Sequence, residues 1–192
     1  SDVDSLTPEL EDCDIVYHIA GLTAAYDQDS FNQVNAYGVR NLLQAMLQCK
    51  NGPKRMVLCS SSMAAGPSHP FMARSEQHRH QEAFTKYGES KLLGEKIAWQ
   101  FAKDHGLELI IVRPPLVYGP RDLDVLQMIR SANGRVVALP GDQDGNISVI
   151  HVDDMVRALV LAGDQGTPLP TEDDEEHVLA GGGLASHVRP RS

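Results

Sequence analysis

Tyr87-Gly-Glu-Ser-Lys91 sets a phenol and an ammonium four residues apart, a spacing that on an α-helix places both on one face, a turn apart. A phenol ordinarily titrates near ~10, so acting as a base near neutrality requires about 3 to 4 kcal/mol favouring the phenolate. A cation held beside it acts in that direction, and Lys91 is expected to lower the Tyr87 pKa. The same spacing also suits a solvated helix face, so the pair needs a companion. Ser60, Ser61 and Ser62 supply one by closing the apolar run Arg55 to Cys59, at the strand end where open α/β sheets bind their ligands. A hydroxyl there can hydrogen-bond a carbonyl or alcohol and steady the charge that develops on its oxygen. A Ser-rich turn that merely ends a strand is the plainer alternative.

The flanking patterns describe the frame that would hold these groups. Ile15 to Ala20 (IVYHIA), ending at Gly21, Arg55 to Cys59 (RMVLC) and Leu107 to Val112 (LELIIV) are short apolar runs of the kind buried in parallel sheets. Phe31, Val34, Leu42, Ala45, Met46 and Cys49 recur at helical spacing, with Ser30 as N-cap. Thr85 to His105 is helical again, with Leu92, Leu93, Ile97, Phe101 and Ala102 on one side and Gly106 as the stop. Strands alternating with helices in this way specify right-handed crossovers and a doubly wound α/β sheet. Beyond Arg113 the rhythm loosens: Pro114, Pro115, Gly119 and Pro120 mark a loop, followed by a short helix near Asp122 to Ala132. Short strands near Arg135 to Leu139 and Asn146 to His151 come next, then a helix from Val152 to Ala162. Thr167 to Glu176 reads as a solvated acidic loop, and His177 to Ala180 as a last strand. Residues 1–120 are thus expected to form the sheet domain that carries the chemistry, and residues 121–192 a partial α+β substrate lobe and tail.

Composition narrows the partners. A formal net charge of −9 with no basic stripe argues against nucleic acid. No apolar run approaches a membrane span, and Cys13, Cys49 and Cys59 are too dispersed for a disulfide framework or a zinc site. A cytoplasmic protein with free thiols is the expectation.

Six stretches together resemble the extended short-chain dehydrogenase/reductase family, the NAD-dependent epimerases and dehydratases. They are Asp14 to Gly21 (DIVYHIAG), Asn35 to Gly38 (NAYG) with Asn41, Met56 to Gly66 (MVLCSSSMAAG), Tyr87 to Lys91, Arg113 to Pro120 (RPPLVYGP) and His151 to Leu159 (HVDDMVRAL). The resemblance implies a partial Rossmann-like sheet that lacks its first strands. It matches Ser61 to the catalytic Ser/Thr, with Gly66 following five residues later, and leaves Ser60 or Ser62 as alternates. Tyr87 matches the proton donor and acceptor, and Lys91 the residue that holds the nicotinamide ribose. Ala20, Gly21 and Ser60 match backbone and side-chain positions along the cofactor, and Pro114 and Val117 the loop that meets its carboxamide. Asn35 matches a helix Asn beneath the site that either bonds a neighbouring backbone or touches the cofactor. Ser62, Met63 and Arg121 are substrate-facing candidates, although Arg121 also suits plain solvation. The implied cofactor is NAD or NADP, the partner a small-molecule substrate, and the parent assembly a homodimer built on the helices near Phe31 to Cys49 and Tyr87 to Lys103. Asp153, Asp154 and His151 then look like an Asp-capped helix start rather than a metal site, and His78 and His80 like loop residues. Gly181, Gly182 and Gly183 imitate a dinucleotide fingerprint with no helix to follow.

The family's opening Gly-rich turn and its second strand have no counterpart here, so about 60 residues of the nucleotide half are expected to precede Ser1. Without that pyrophosphate cradle the chain is expected to bind dinucleotide weakly. Hydride transfer between nicotinamide and a secondary alcohol or ketone, with nucleotide sugars among the substrate classes, is the leading expectation. A non-catalytic cofactor-sensing or scaffold protein with a degenerate fold is the alternative.

Overall fold

A computed structural model describes residues 2–67, 83–132 and 147–172. The chain opens with helix α1 (Val3–Leu10), capped by the Asp2 carboxylate on the Asp4 amide, and then lays down strand β1 (Ile15–His18). Helices α2 (Gln28–Asn35) and α3 (Tyr37–Gln48) follow, then strand β2 (Arg55–Cys59) and a 3-10 turn at Ser62–Ala65. The long helix α4 (Lys86–His105) leads into β3 (Glu108–Val112). After β3 come β4 (Leu116–Tyr118), α5 (Leu123–Ala132), β5 (Val149–His151) and α6 (Val152–Gln165).

β1, β2 and β3 form a parallel sheet in that order, with Val16 opposite Met56, His18 opposite Leu58 and Cys59 opposite Val112. The period of two along a strand divides the core into two layers. Met56, Leu58, Leu109 and Ile111 pack with Leu43, Ala98 and Trp99 of α3 and α4. Val57 and Ile110 pack with Met155 and Leu159 of α6 on the opposite face. β1 is an edge strand among the described residues, and Tyr17 and Ile19 remain 36% and 59% exposed beside it.

Several boundaries differ from expectation, each for a local reason. The run from Phe31 to Cys49 is two helices, because the backbone is distorted at Ala36, with φ −114 and ψ −56. The first of them is capped by Asp27, whose carboxylate accepts from the Ser30 amide, rather than by Ser30. Leu116–Tyr118 is a strand rather than loop, pairing in parallel with Val149–His151 in a second, two-stranded sheet. α4 also buries a face other than its apolar one: Lys91, Gly94, Glu95, Ala98, Trp99 and Ala102 are buried, while Leu92, Leu93, Ile97 and Phe101 are only half-buried. Small residues bring this helix close to its neighbours; a Cβ on Gly94 would lie 2.5 Å from the Asn35 carbonyl oxygen. The described part of Thr167 to Glu176 is not a free loop. Leu169 is buried and its amide donates to Leu109 O at 2.8 Å, and Trp99 Nε1 donates to Pro170 O at 3.1 Å. α6 is capped by His151 Nδ1, which accepts from the Asp153 amide, so the Asp residues sit in its first turn rather than at its cap. His78, His80, the strands expected near Arg135 to Leu139 and His177 to Ala180, and Gly181 to Gly183 lie outside the described residues.

Candidate active site

The two halves of the site meet where the 3-10 turn after β2 abuts the N-terminus of α4. Thr85 caps α4 by accepting from the Gly88 amide at 3.0 Å, and this sets the first turn, with Tyr87, directly against the Met63 backbone. The approach is so close that a Cβ on Gly88 would lie 2.4 Å from the Met63 carbonyl oxygen. Ser61 caps the 3-10 turn through its hydroxyl, which accepts from the Met63 amide at 3.2 Å. Ser62 then donates its amide to Pro114 O at 2.9 Å, which draws the loop after β3 up to the same strand end.

Tyr87 and Ser61 converge. The Tyr87 ring packs 6.0 Å from Phe31. Burial pushes the phenol pKa up, the Ser61 hydroxyl facing it works the other way, and Cys59 adds to the rise. The expected lowering by Lys91 is therefore not realised in the protein alone. The reason is positional: the Lys91 ammonium is seated on the end of β2, donating to Cys59 O at 2.7 Å. Burial pulls the Lys91 pKa down, while Cys59 and Glu95 pull it back up.

Asn35 serves as a joint. Its Oδ1 accepts from the Leu22 amide at 2.8 Å, and its Nδ2 donates to Leu22 O at 3.0 Å and to Ser90 Oγ at 2.9 Å. Ser90 in turn donates to the Tyr87 carbonyl at 2.7 Å. One buried amide thus ties the loop after β1 to the helix that carries Tyr87 and Lys91, which is the backbone-bonding option for this residue. Ala20 and Gly21 lie exposed on that loop. Gly21 is close enough that a Cβ there would lie 3.0 Å from Asn35 Oδ1 and 3.5 Å from Lys91 Nζ.

Val117 lies on β4 and packs on the α6 side of the sheet. Ser62 is exposed and Met63 half-buried. Arg121 is exposed in the turn closed by Asp122 N to Gly119 O, with φ 73. Among the described residues no hydrogen bond or ion pair joins Arg121 to Tyr87 or Ser61, and no cluster of His, Cys, Asp and Glu is arranged to hold a metal.

Two further groups belong to the neighbourhood although sequence patterns did not single them out as site residues. His18 ends β1 on the face of Val16, with Nε2 buried and unpartnered; burial first, and then the Lys91 charge, lower its pKa to about 4. Glu95, fully buried one turn beyond Lys91, is gripped by Arg113 at the end of β3, with Nε to Oε1 at 2.8 Å and a second contact from Nη2 to Oε2. An ionisable residue at the end of a β-rich run and a Glu four residues after the Lys were the available signals.

His18 makes a stability prediction. Its folded pKa lies below the ordinary 6.5, so the unfolded chain binds more protons between those values and stability rises with pH across that window. Acidification from about 6.5 to about 4 should cost on the order of 3 kcal/mol through this residue alone. Urea unfolding at several pH values checks this, and His18→Leu should flatten that part of the profile.

The Lys91 charge acts on His18, whose Nε2 is buried without a partner, and a Cβ on Gly21 would lie 3.5 Å from the Lys91 ammonium; Ser60, which follows the Cys59 carbonyl that seats that ammonium, also keeps a buried Oγ without a partner. Several known proteins are similar to this chain. Anthocyanidin reductase of Arabidopsis thaliana is 28% identical over 191 residues, covering 87% of this chain and 56% of the reductase. UDP-glucuronic acid 4-epimerase from Bacillus cereus, solved in complex with NAD, matches with a TM-score of 0.72 at 25% identity, over 84% of this chain and 53% of the epimerase. RMD from Pseudomonas aeruginosa, solved complexed with NADPH, matches at 0.70 and 26% identity, over 87% of this chain and 62% of that one. The chain thus spans about half the length of the proteins it matches. With residues 1–174 matching the model of that family, the chain belongs to the NAD-dependent epimerase/dehydratase family.

Proposed function

We propose that this chain supplies the proton-transferring half of an NAD(P)-dependent oxidoreductase that interconverts a secondary alcohol and a ketone. The observation that carries the reading is the meeting of Tyr87 and Ser61 at the carboxyl end of β2, where the Lys91 ammonium is seated on the Cys59 carbonyl. Ser61 orients the substrate oxygen, Tyr87 gives or takes its proton, and Lys91 holds the ribose beside them. Ala20, Gly21, Ser60, Pro114 and Val117 line the cofactor side, with Asn35 supporting them from below through its bonds to Leu22, and Ser62, Met63 and Arg121 line the substrate side. When bound, the nicotinamide supplies the hydride acceptor or donor. NAD and NADPH in the solved relatives support either coenzyme. Nucleotide sugars and anthocyanidin-like compounds are the substrate classes suggested by the relatives' names. No observation favours the scaffold alternative.

Residues 1–120 carry the cofactor and proton chemistry in this reading, and residues 121–192 contribute to the substrate side. We further place the protein in the cytoplasm, which its three free thiols support, and infer a homodimer through α3 and α4. Leu43, Leu47, Ile97 and Phe101 line a groove between these helices, rimmed by Arg40, Lys96 and Asp104.

Deuterium transfer tests the chemistry. The chain is incubated with C4-deuterated reduced dinucleotide and a panel of ketones and keto sugars, and products are weighed by mass spectrometry. Label in the product of the wild-type chain, lost in Ser61→Ala, is the expected result. Absence of transfer with both coenzymes across the panel, at concentrations where binding is measured, would overturn the reading.

A further inference from the structure

Lys91 and Glu95 stand one turn apart on the same face of α4, which places their side chains side by side. Both are buried, at 7% and 0% exposure. A buried carboxylate persists in its charged form only when it is paired and hydrogen-bonded. Arg113 meets that need with two contacts to Glu95 from the end of β3. The pairing is also directional: a guanidinium fork grips both oxygens of a carboxylate and fixes its plane, which an ammonium cannot do. Glu95 is thus held still, in its anionic form, beside a lysine that burial would otherwise push towards neutrality.

We infer that the Glu95–Arg113 ion pair is a positioning element for Lys91, holding its ammonium charged and seated on the Cys59 carbonyl. The inference rests on the role proposed for Lys91 but concerns the state of the ammonium in the protein alone. The groups facing Lys91 from each packed element are His18 from β1, Cys59 from β2 and Tyr87 and Glu95 from α4, with Arg113 behind Glu95 at the end of β3. His18 is neutral above about 4, and the Cys59 thiol is pushed up by burial. Glu95 is therefore the fixed anion of the set near neutral pH. A second consequence follows from Arg113, which is followed directly by Pro114. The residue that clamps the anion also starts the loop whose Pro114 carbonyl accepts from Ser62, so the charge on Lys91 and the seat of that loop depend on one contact.

Nuclear magnetic resonance of the lysine side chains, on the full chain without dinucleotide or substrate, tests this. The Lys91 signal is assigned by its loss in Lys91→Met and followed through an alkaline titration. In Glu95→Gln its midpoint is expected to fall by about one pH unit or more, and in Glu95→Asp to return most of the way to the wild-type value. If Glu95→Gln alone does not fold, Glu95→Gln combined with Arg113→Met removes both charges together and should give a smaller fall of the same sign. A purely structural pair would change the unfolding temperature and leave the midpoint in place. An unchanged Lys91 midpoint in either folded variant would overturn the inference. Because the readout is the ammonium itself, failure of turnover and failure of this coupling are separate results.

Discussion

Replacing Tyr87 by Phe is expected to lower turnover by about two to four orders of magnitude, the usual contribution of a positioned acid or base, with little change in fold. The ring keeps its packing on Phe31. The backbone carbonyl that accepts from Ser90 Oγ is untouched, so α4 stays in register and only the phenolic oxygen is lost. The wild-type pH profile should show the same group. Burial raises the Tyr87 pKa, so the phenol is protonated at neutral pH. The reductive direction, which needs a proton donor, should hold its rate through neutrality and fall only in alkali. The oxidative direction, which needs the phenolate, should rise with pH over the same range. Initial rates in both directions across pH, for wild type and Tyr87→Phe, provide the measurement. Retention of more than about a tenth of wild-type rate by the variant, outside the range for general acid–base catalysis, would remove Tyr87 from the reaction.

Arg113→Ala is expected to be the most destabilising single change at this site. It leaves the Glu95 carboxylate, at 0% exposure, without its guanidinium, and breaking a buried pair from one side costs about 3 to 5 kcal/mol. For a chain of this size that corresponds to a fall in Tm of roughly 10 °C. Arg113→Lys should recover part of the loss, because it keeps the charge but gives up the bidentate fork. The exposed pair Arg55–Glu108, at 2.5 Å with Glu108 49% exposed, is the control. Glu108→Ala should cost less than about 1 kcal/mol. Thermal and urea unfolding of the three variants would show the contrast, and equal losses at both pairs would mean that Glu95 is not charged in the fold.

What could be read from the sequence is what depends on local signals. The three strands of the central sheet are continuous apolar runs, and α4 has a cap at Thr85 and a left-handed stop at Gly106 with φ 69. Both are visible without tertiary knowledge, as is the i, i+4 spacing of Tyr87 and Lys91. What depended on packing was not visible. The break at Ala36 falls inside an unbroken apolar period. β4 is hidden between Pro115 and Gly119, and only its pairing with β5 makes it a strand. The buried face of α4 mixes Gly94, Ala98, Trp99 and Ala102 with the charged Lys91 and Glu95, so the periodicity of the larger aliphatic residues pointed to the half-buried side. The site was legible as a set of residue types, while its electrostatics were not. Whether Lys91 lowers the Tyr87 pKa depends on where the ammonium is seated, and that is decided by the Cys59 carbonyl and by Glu95, neither of which a spacing rule reports.

Gly88 bears on how a mutational scan of this protein should be interpreted. The residue has no reactive group, yet any side chain there would drive α4 off the Met63 carbonyl and pull Tyr87 away from Ser61. Intolerance at position 88 would match that of its neighbours at 87 and 91, so a substitution map alone would credit steric fit as chemistry. Assaying each variant for both folding and rate would separate the two, with Gly88→Ala losing both and Tyr87→Phe losing only the second.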